Sequence, residues 1–306
     1  MKTFLQAISS GALASLKELF LSDNQIGDLG MIAFADAIKP TDEIPMGGRA
    51  PNNLRLTHER PSVPPKTQRI WNPGGAPRPN PLSFRRYGWP FKSYRGVKIP
   101  NFPKSGAVIG STTLGSLASL KVLSFRGNQI GDSGMIAFAD AIKPTDEIPM
   151  GALASLTKLD LDNNKIGDEG IKAFSTALSS GALASLEVLL LYDNQIGDKG
   201  MKAFSTAISS GALASLEALG LGGNHIDDEG MKAFSTALSS RGALPSLKRL
   251  DLGDNRIGDN GMNAFSNALS RGALTSLHSL YIRHTPVHPE LKVVCNDRYI
   301  DIFTHV

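Results

Sequence analysis

The sequence predicts an α/β solenoid, a curved stack of strand–turn–helix units with a parallel sheet on the concave side and helices on the convex side. Two observations carry this. The near-regular frame L-x-x-L-x-L-x-x-N-x-I-x-x-x-G-x-x-x-F-x-x-x-L fits six segments, whose asparagines are Asn24, Asn128, Asn164, Asn194, Asn224 and Asn255. From Asn128 onward these are 36, 30, 30 and 31 residues apart, the kind of fixed period that marks repeat architectures. Within each unit the apolar spacing also switches from two, which suits a strand, to three and four, which suits a helix.

The unit around Asn164 shows each element in turn. Leu159-Asp160-Leu161 alternates inward and outward and reads as a strand. Asn164 falls at the strand exit, where its amide can satisfy backbone groups of its own turn and of the neighbouring turn. Ile171, Phe174, Ala177 and Leu178 form one apolar helical stripe. Asp168 reads as the N-cap of that helix, Gly170 permits close approach, and Gly181 suits the C-terminal stop. One such unit cannot bury its own apolar face, so neighbours must share the burial and the ends need caps.

The frame also divides the chain. Residues 1–47 read as a truncated N-terminal repeat plus the first full repeat, because "MKTFLQAISSGALASL" matches the helix and loop at Met201–Leu216. Residues 115–276 are repeats two to six. Residues 277–306 are a last strand and a C-terminal cap, with Thr285 in the asparagine position, a short helix carrying Leu291, Val294 and Cys295, and the strand-like "YIDIF". Between Gly47 and Gly115 the frame is lost. Residues 48–114 hold 11 of the 18 prolines, both tryptophans, 8 Arg and 4 Lys against the single acid Glu59. Their net charge is +11 in a chain of +4, so the repeats themselves are acidic at −7. Three readings of this insert stand: a disordered loop, a retained intron or gene-model artefact, and a basic arm whose "FRRYGWPFKSYRG" would meet nucleic acid.

With these residues in view, the chain resembles leucine-rich repeat proteins, of the ribonuclease-inhibitor-like subclass with long helical repeats. The match covers residues 1–47 and about 115–290. Phe in the helix and a slightly longer repeat are its departures. The resemblance implies a right-handed leucine-rich-repeat horseshoe and a protein partner held on the concave face. It also leaves open a regulator of an enzyme, of the GTPase-activating or nuclease-inhibitor type, on the same fold.

Catalytic signals are scarce, and the chain reads as a non-enzyme without cofactor or metal. Cys295 is the only cysteine, which excludes an internal disulfide framework and fits a reducing, cytoplasmic setting. His284 and His288 have a ligand-like spacing, but Pro286 and Pro289 argue against one helix presenting both. The glycine-rich "GLGGN" at Gly220 lacks the features of a phosphate loop. No apolar run approaches the roughly 18 residues of a membrane span.

What varies from unit to unit is the outward side of the strands. Candidate partner-binding residues there are Lys158, Asp160, Asp162, Leu190, Tyr192, Asp193, Arg249, Asp251 and Tyr281. Leu190 and Tyr192 are expected to form an apolar anchor and the aspartates an acidic rim.

Overall fold

Neighbouring strands sit about 4.8 Å apart whereas packed helices need about 8–10 Å, so a stack of strand–helix units bends with its sheet on the inside. The computed structural model has this arrangement over residues 2–39, 117–146, 148–240 and 242–304, which are the residues described. The insert 48–114 lies outside them.

The elements follow the frame. Helix α1 (Lys2–Ser9) leads into β1 (Glu18–Phe20) and α2 (Asp28–Ile38), then β2 (Val122–Ser124) and α3 (Asp132–Ile142). Three units follow with a shared period: β3 (Lys158–Asp160) and α4 (Asp168–Ser179), β4 (Val188–Leu190) and α5 (Asp198–Ser209), β5 (Ala218–Gly220) and α6 (Asp228–Leu238). The chain then forms β6 (Arg249–Asp251), α7 (Asp259–Ser270), β7 (Ser279–Tyr281), α8 (Pro289–Asp297) and β8 (Asp301–Phe303). All eight strands make one parallel sheet in chain order. The pairing of β1 with β2 keeps the same register as every other pair, Leu19 opposite Leu123, although the two strands are more than a hundred residues apart in the chain.

The core is a set of ladders. Leu123, Leu159, Leu189, Leu219, Leu250 and Leu280 stand at the middle of successive strands and are fully buried. Behind them Phe138, Phe174, Phe204, Phe234 and Phe265 form the matching row on the helices. In the first units Phe34 packs edge-on against Phe125, with ring centroids 5.0 Å apart. In the last unit α8 buries Leu291 and Cys295, and β8 pairs with β7.

The asparagine does what its position predicts. Asn194 Nδ2 donates to the carbonyls of Leu191 and Tyr192 in its own turn and of Leu161 in the preceding one, while its Oδ1 accepts from Ile166 N at 3.0 Å. The residue before each asparagine lies in the left-handed region: Asp23, Gly127, Asn163, Asp193, Gly223 and Asp254 all have φ between 49° and 68°. Only Gly, Asn and Asp take that conformation routinely, which accounts for the residue types found there.

One expectation is corrected. Asp168 does not cap its own helix: Gly167 is the N-cap of α4 and makes no side-chain cap bond. Asp168 is the first helical residue, and its Oδ1 accepts from Gly197 N and Gly200 N at the start of α5. Its carboxylate therefore satisfies the orphan donors of the next helix, and the cap works across repeats.

Candidate functional site

Alternation along each strand divides its side chains between the core and the opposite, helix-free face of the sheet. From β2 to β7 the third strand residue on that face is Ser124, Asp160, Leu190, Gly220, Asp251 or Tyr281, while the middle residue is leucine throughout. All nine candidate residues lie along this side, on the strands or at their exits.

Their exposure differs from expectation. Tyr192 is 3 % exposed and is no open anchor. Its ring lies over β5, where a Cβ on Gly220 would come 2.2 Å from its Cε2 and one on Gly222 would come 3.0 Å from its Cδ1. Its hydroxyl donates to Asp251 Oδ2 at 3.2 Å. Leu190 beside it is buried as well. The physical reason is the next unit: glycines at two facing positions leave a trough, and the aromatic ring folds into it rather than standing out.

The expected acidic rim is mostly interior. Asp160, Asp162 and Asp251 are 8, 4 and 2 % exposed. Asp162 accepts from Tyr192 N at 2.8 Å and meets Arg126 Nη1 at 3.4 Å, and Asp251 Oδ1 accepts from Gly253 N at 2.9 Å. Burial pushes the Asp162 carboxyl well above the ordinary carboxylate range, the Asp160 charge adds to this, and Arg126 opposes it. Asp160 is raised too, again by burial first. These acids organise the face more than they offer charge to solvent. Asp193 is half-buried, and its side chain occupies space beside Gly223.

Towards the C-terminal end the face opens. Arg249 and Tyr281 are partly exposed there, as is Lys158 on β3. Tyr281 stacks on Phe303 with centroids 4.5 Å apart, and burial raises its phenol while Arg249 beside it works the other way. Arg283 meets Asp254 at 3.5 Å. Between these groups and β4 lies an open depression of about 610 Å³, floored by Val188 and Ala218 and walled by Arg249 and Ser279. Ala218, an outward strand position, is not among the nine candidates. Its signal was the run of small facing residues Ala218, Gly220 and Gly222 after an aromatic at the same place one unit earlier.

Elsewhere the histidines are divided: His284 sits against Asp254 and His288 against Asp259. Among the described residues no group of three or more His, Cys, Asp or Glu could hold a metal ion. The Cys295 thiol is buried, which pushes it up to about 11, so it is held as a thiol at neutral pH.

A family model described as leucine-rich repeat matches residues 12–35, 116–139, 152–175, 182–205, 212–235 and 243–266. Among solved structures, the chain is similar to leiomodin-1 actin-binding site 2, with 16% identity over 55% of this chain and 86% of that one and a TM-score of 0.41. It is similar to a chain in an octameric complex of latrophilin 3, Unc5D and FLRT2, with 17% identity, 62% and 63% coverage and a TM-score of 0.28. An internalin from Listeria monocytogenes is 18% identical over 61% of this chain and 74% of that one, at a TM-score of 0.25. None of the curated proteins matches.

Proposed function

We propose that this chain, which belongs to the leucine-rich repeat proteins, is a non-catalytic module that holds a protein partner against the helix-free face of its sheet. The observation that carries this reading is the contrast within each strand. The middle position is leucine from β1 to β7, while the facing positions range from Gly220 through Leu190 to Asp160 and Tyr281. Some of that range packs the face itself, as Gly220 does for Tyr192, and the part that reaches solvent, at Lys158, Val188, Arg249 and Tyr281, suits a surface fitted to a partner. Binding is best served by the exposed part of the face, from Lys158 through Val188 to Arg249 and Tyr281, with Tyr192 and the buried aspartates packed alongside it further along the strands. Among the described residues no helix is long and apolar enough to cross a membrane. The single cysteine supports a reducing, cytoplasmic setting.

The test is affinity enrichment with three baits, read by quantitative mass spectrometry: the chain itself, Val188→Arg on the face and Lys202→Glu on the exposed side of α5. Proteins lost with Val188→Arg and retained with Lys202→Glu support the reading. The converse pattern would place the working surface on the helices and sink it.

A further inference from the structure

We propose that the depression over Ala218 seats an acidic stretch of the partner, an aliphatic side chain next to an aspartate or glutamate, with Arg249 as the group that takes the carboxylate. The proposal rests on the function argued above and names the partner's chemistry.

The floor comes first. Val188 and Ala218 are neighbours across β4 and β5, and the small Ala218 leaves a hollow beside it. Tyr192 fills the space over Gly220 and Gly222, further along the strand, but does not line this hollow. What remains is about 610 Å³, within the roughly 300–1,000 Å³ of ordinary ligand pockets. Its floor is apolar and suits a short aliphatic side chain.

The wall supplies the charge. Arg249 is half-buried at the side of the hollow, and among the described residues its guanidinium makes no hydrogen bond or ion pair. The other charges nearby have partners or face outward. Lys248 Nζ holds Glu217 Oε1 at 2.6 Å on the rim, and Asp251 is engaged by the Tyr192 hydroxyl and Gly253 N. His278 stands exposed at the edge, and Asp301, exposed, pairs with Ser279 across β7 and β8, one strand further from Arg249, where it acts on Tyr281. A planar guanidinium with five donors, partly withdrawn from water, is well matched to a carboxylate, which it can grip with two parallel bonds. A basic segment would instead meet Arg249 with like charge.

The probe is a library of short random peptides displayed on phage and panned against the full chain. Enriched sequences are then titrated as labelled peptides by fluorescence polarisation. The expected winners pair an aliphatic residue with Asp or Glu and weaken as salt rises. Arg249→Gln should lower their affinity about tenfold or more, as loss of a charge-assisted pair does. Ala218→Leu, which fills the hollow, should abolish binding, and Lys202→Glu should leave it unchanged. Circular dichroism checks the fold of each variant; should Ala218→Leu fail to fold, the half-exposed Arg249→Gln decides. Peptides without acids, lost with Val188→Arg but indifferent to Arg249→Gln, would overturn the acidic seat and leave the partner-binding face standing. Peptides lost only with Lys202→Glu would overturn both. Failure to enrich any peptide would overturn the acidic seat.

Discussion

The Asp168 carboxylate accepts a hydrogen bond from the Gly200 backbone N–H at 2.9 Å, joining the first turns of α4 and α5. The same oxygen takes Gly197 N at 2.8 Å. A Cβ on Gly200 would stand 2.7 Å from it, so the glycine is what lets the carboxylate reach the helix start. The arrangement recurs as Asp28 with Gly134, Asp132 with Gly170, Asp198 with Gly230 and Asp228 with Gly261. The repeats are thus tied along their helices by a row of acids on amides as well as by the leucine core.

Asp168→Ala should therefore cost about 1–2 kcal/mol, the range for losing a helix cap. Gly200→Ala should cost a comparable amount by pushing the carboxylate away. Because both remove one interaction, the double variant should be little worse than the worse single variant. Urea denaturation measures all three, and full additivity would show that the glycine serves some other contact.

Asn194→Ala should cost about 3 kcal/mol or more, since it leaves several buried backbone groups of two turns without a partner. Asp193→Ala should be milder but not silent, at about 1–2 kcal/mol, because alanine must take φ near 49° there. Asp193→Gly should be milder than Asp193→Ala, and thermal melts of the three variants compare them. Equal losses for Ala and Gly at that position would mean that the side chain, not the backbone, carries the effect.

The core and the asparagine ladder were legible because their causes lie within one unit. Leu159, Leu161 and Phe174 declare their elements by spacing, and Asn164 sits where a strand must turn. The role of Asp168 was not, because a single unit reads it as the cap of the helix it opens. Only contact with the next unit reveals that its amides lie at Gly197 and Gly200. Tyr192 was misread for the same reason. Whether an aromatic on a strand face stands out or lies down is decided by its neighbour across the sheet, and here that neighbour is Gly220. The recurrence of G-D-x-G in register, and small facing residues one period after an aromatic, were the available signals.

The buried acids give the face a dependence on pH. Burial raises both Asp160 and Asp162, and the Asp160 charge raises Asp162 further. A carboxyl with a higher pKa folded than unfolded opposes folding while it is charged. That cost is present above the folded pKa and fades as pH falls towards the ordinary carboxylate range. Asp160→Asn keeps an oxygen for the Asp162 N–H, 3.2 Å away in the parent, and removes the like charge. It should raise the melting temperature at neutral pH, with the gain shrinking in mild acid. A gain that is the same at both pH values would show that the charge is not its source.

The last prediction turns on Tyr192 and Gly220. Gly220→Ala places a methyl group where the Tyr192 ring lies, at 2.2 Å from Cε2, so ring or strand must move. Tyr192→Ala removes a buried ring and its bond to Asp251, and should cost about 3–5 kcal/mol, as large-to-small changes of aromatics do. Tyr192→Phe loses the hydroxyl alone and should cost about 1 kcal/mol. The informative measurement is the cycle. With Tyr192 present, Gly220→Ala should destabilise clearly. With Ala at position 192 the same change should be nearly neutral, because the new methyl then enters vacated space. Residues in direct contact couple by about 0.5–3 kcal/mol, and this pair belongs at the upper end. If the two substitutions add, the ring does not rest on β5, and Tyr192 is free to stand out towards a partner after all.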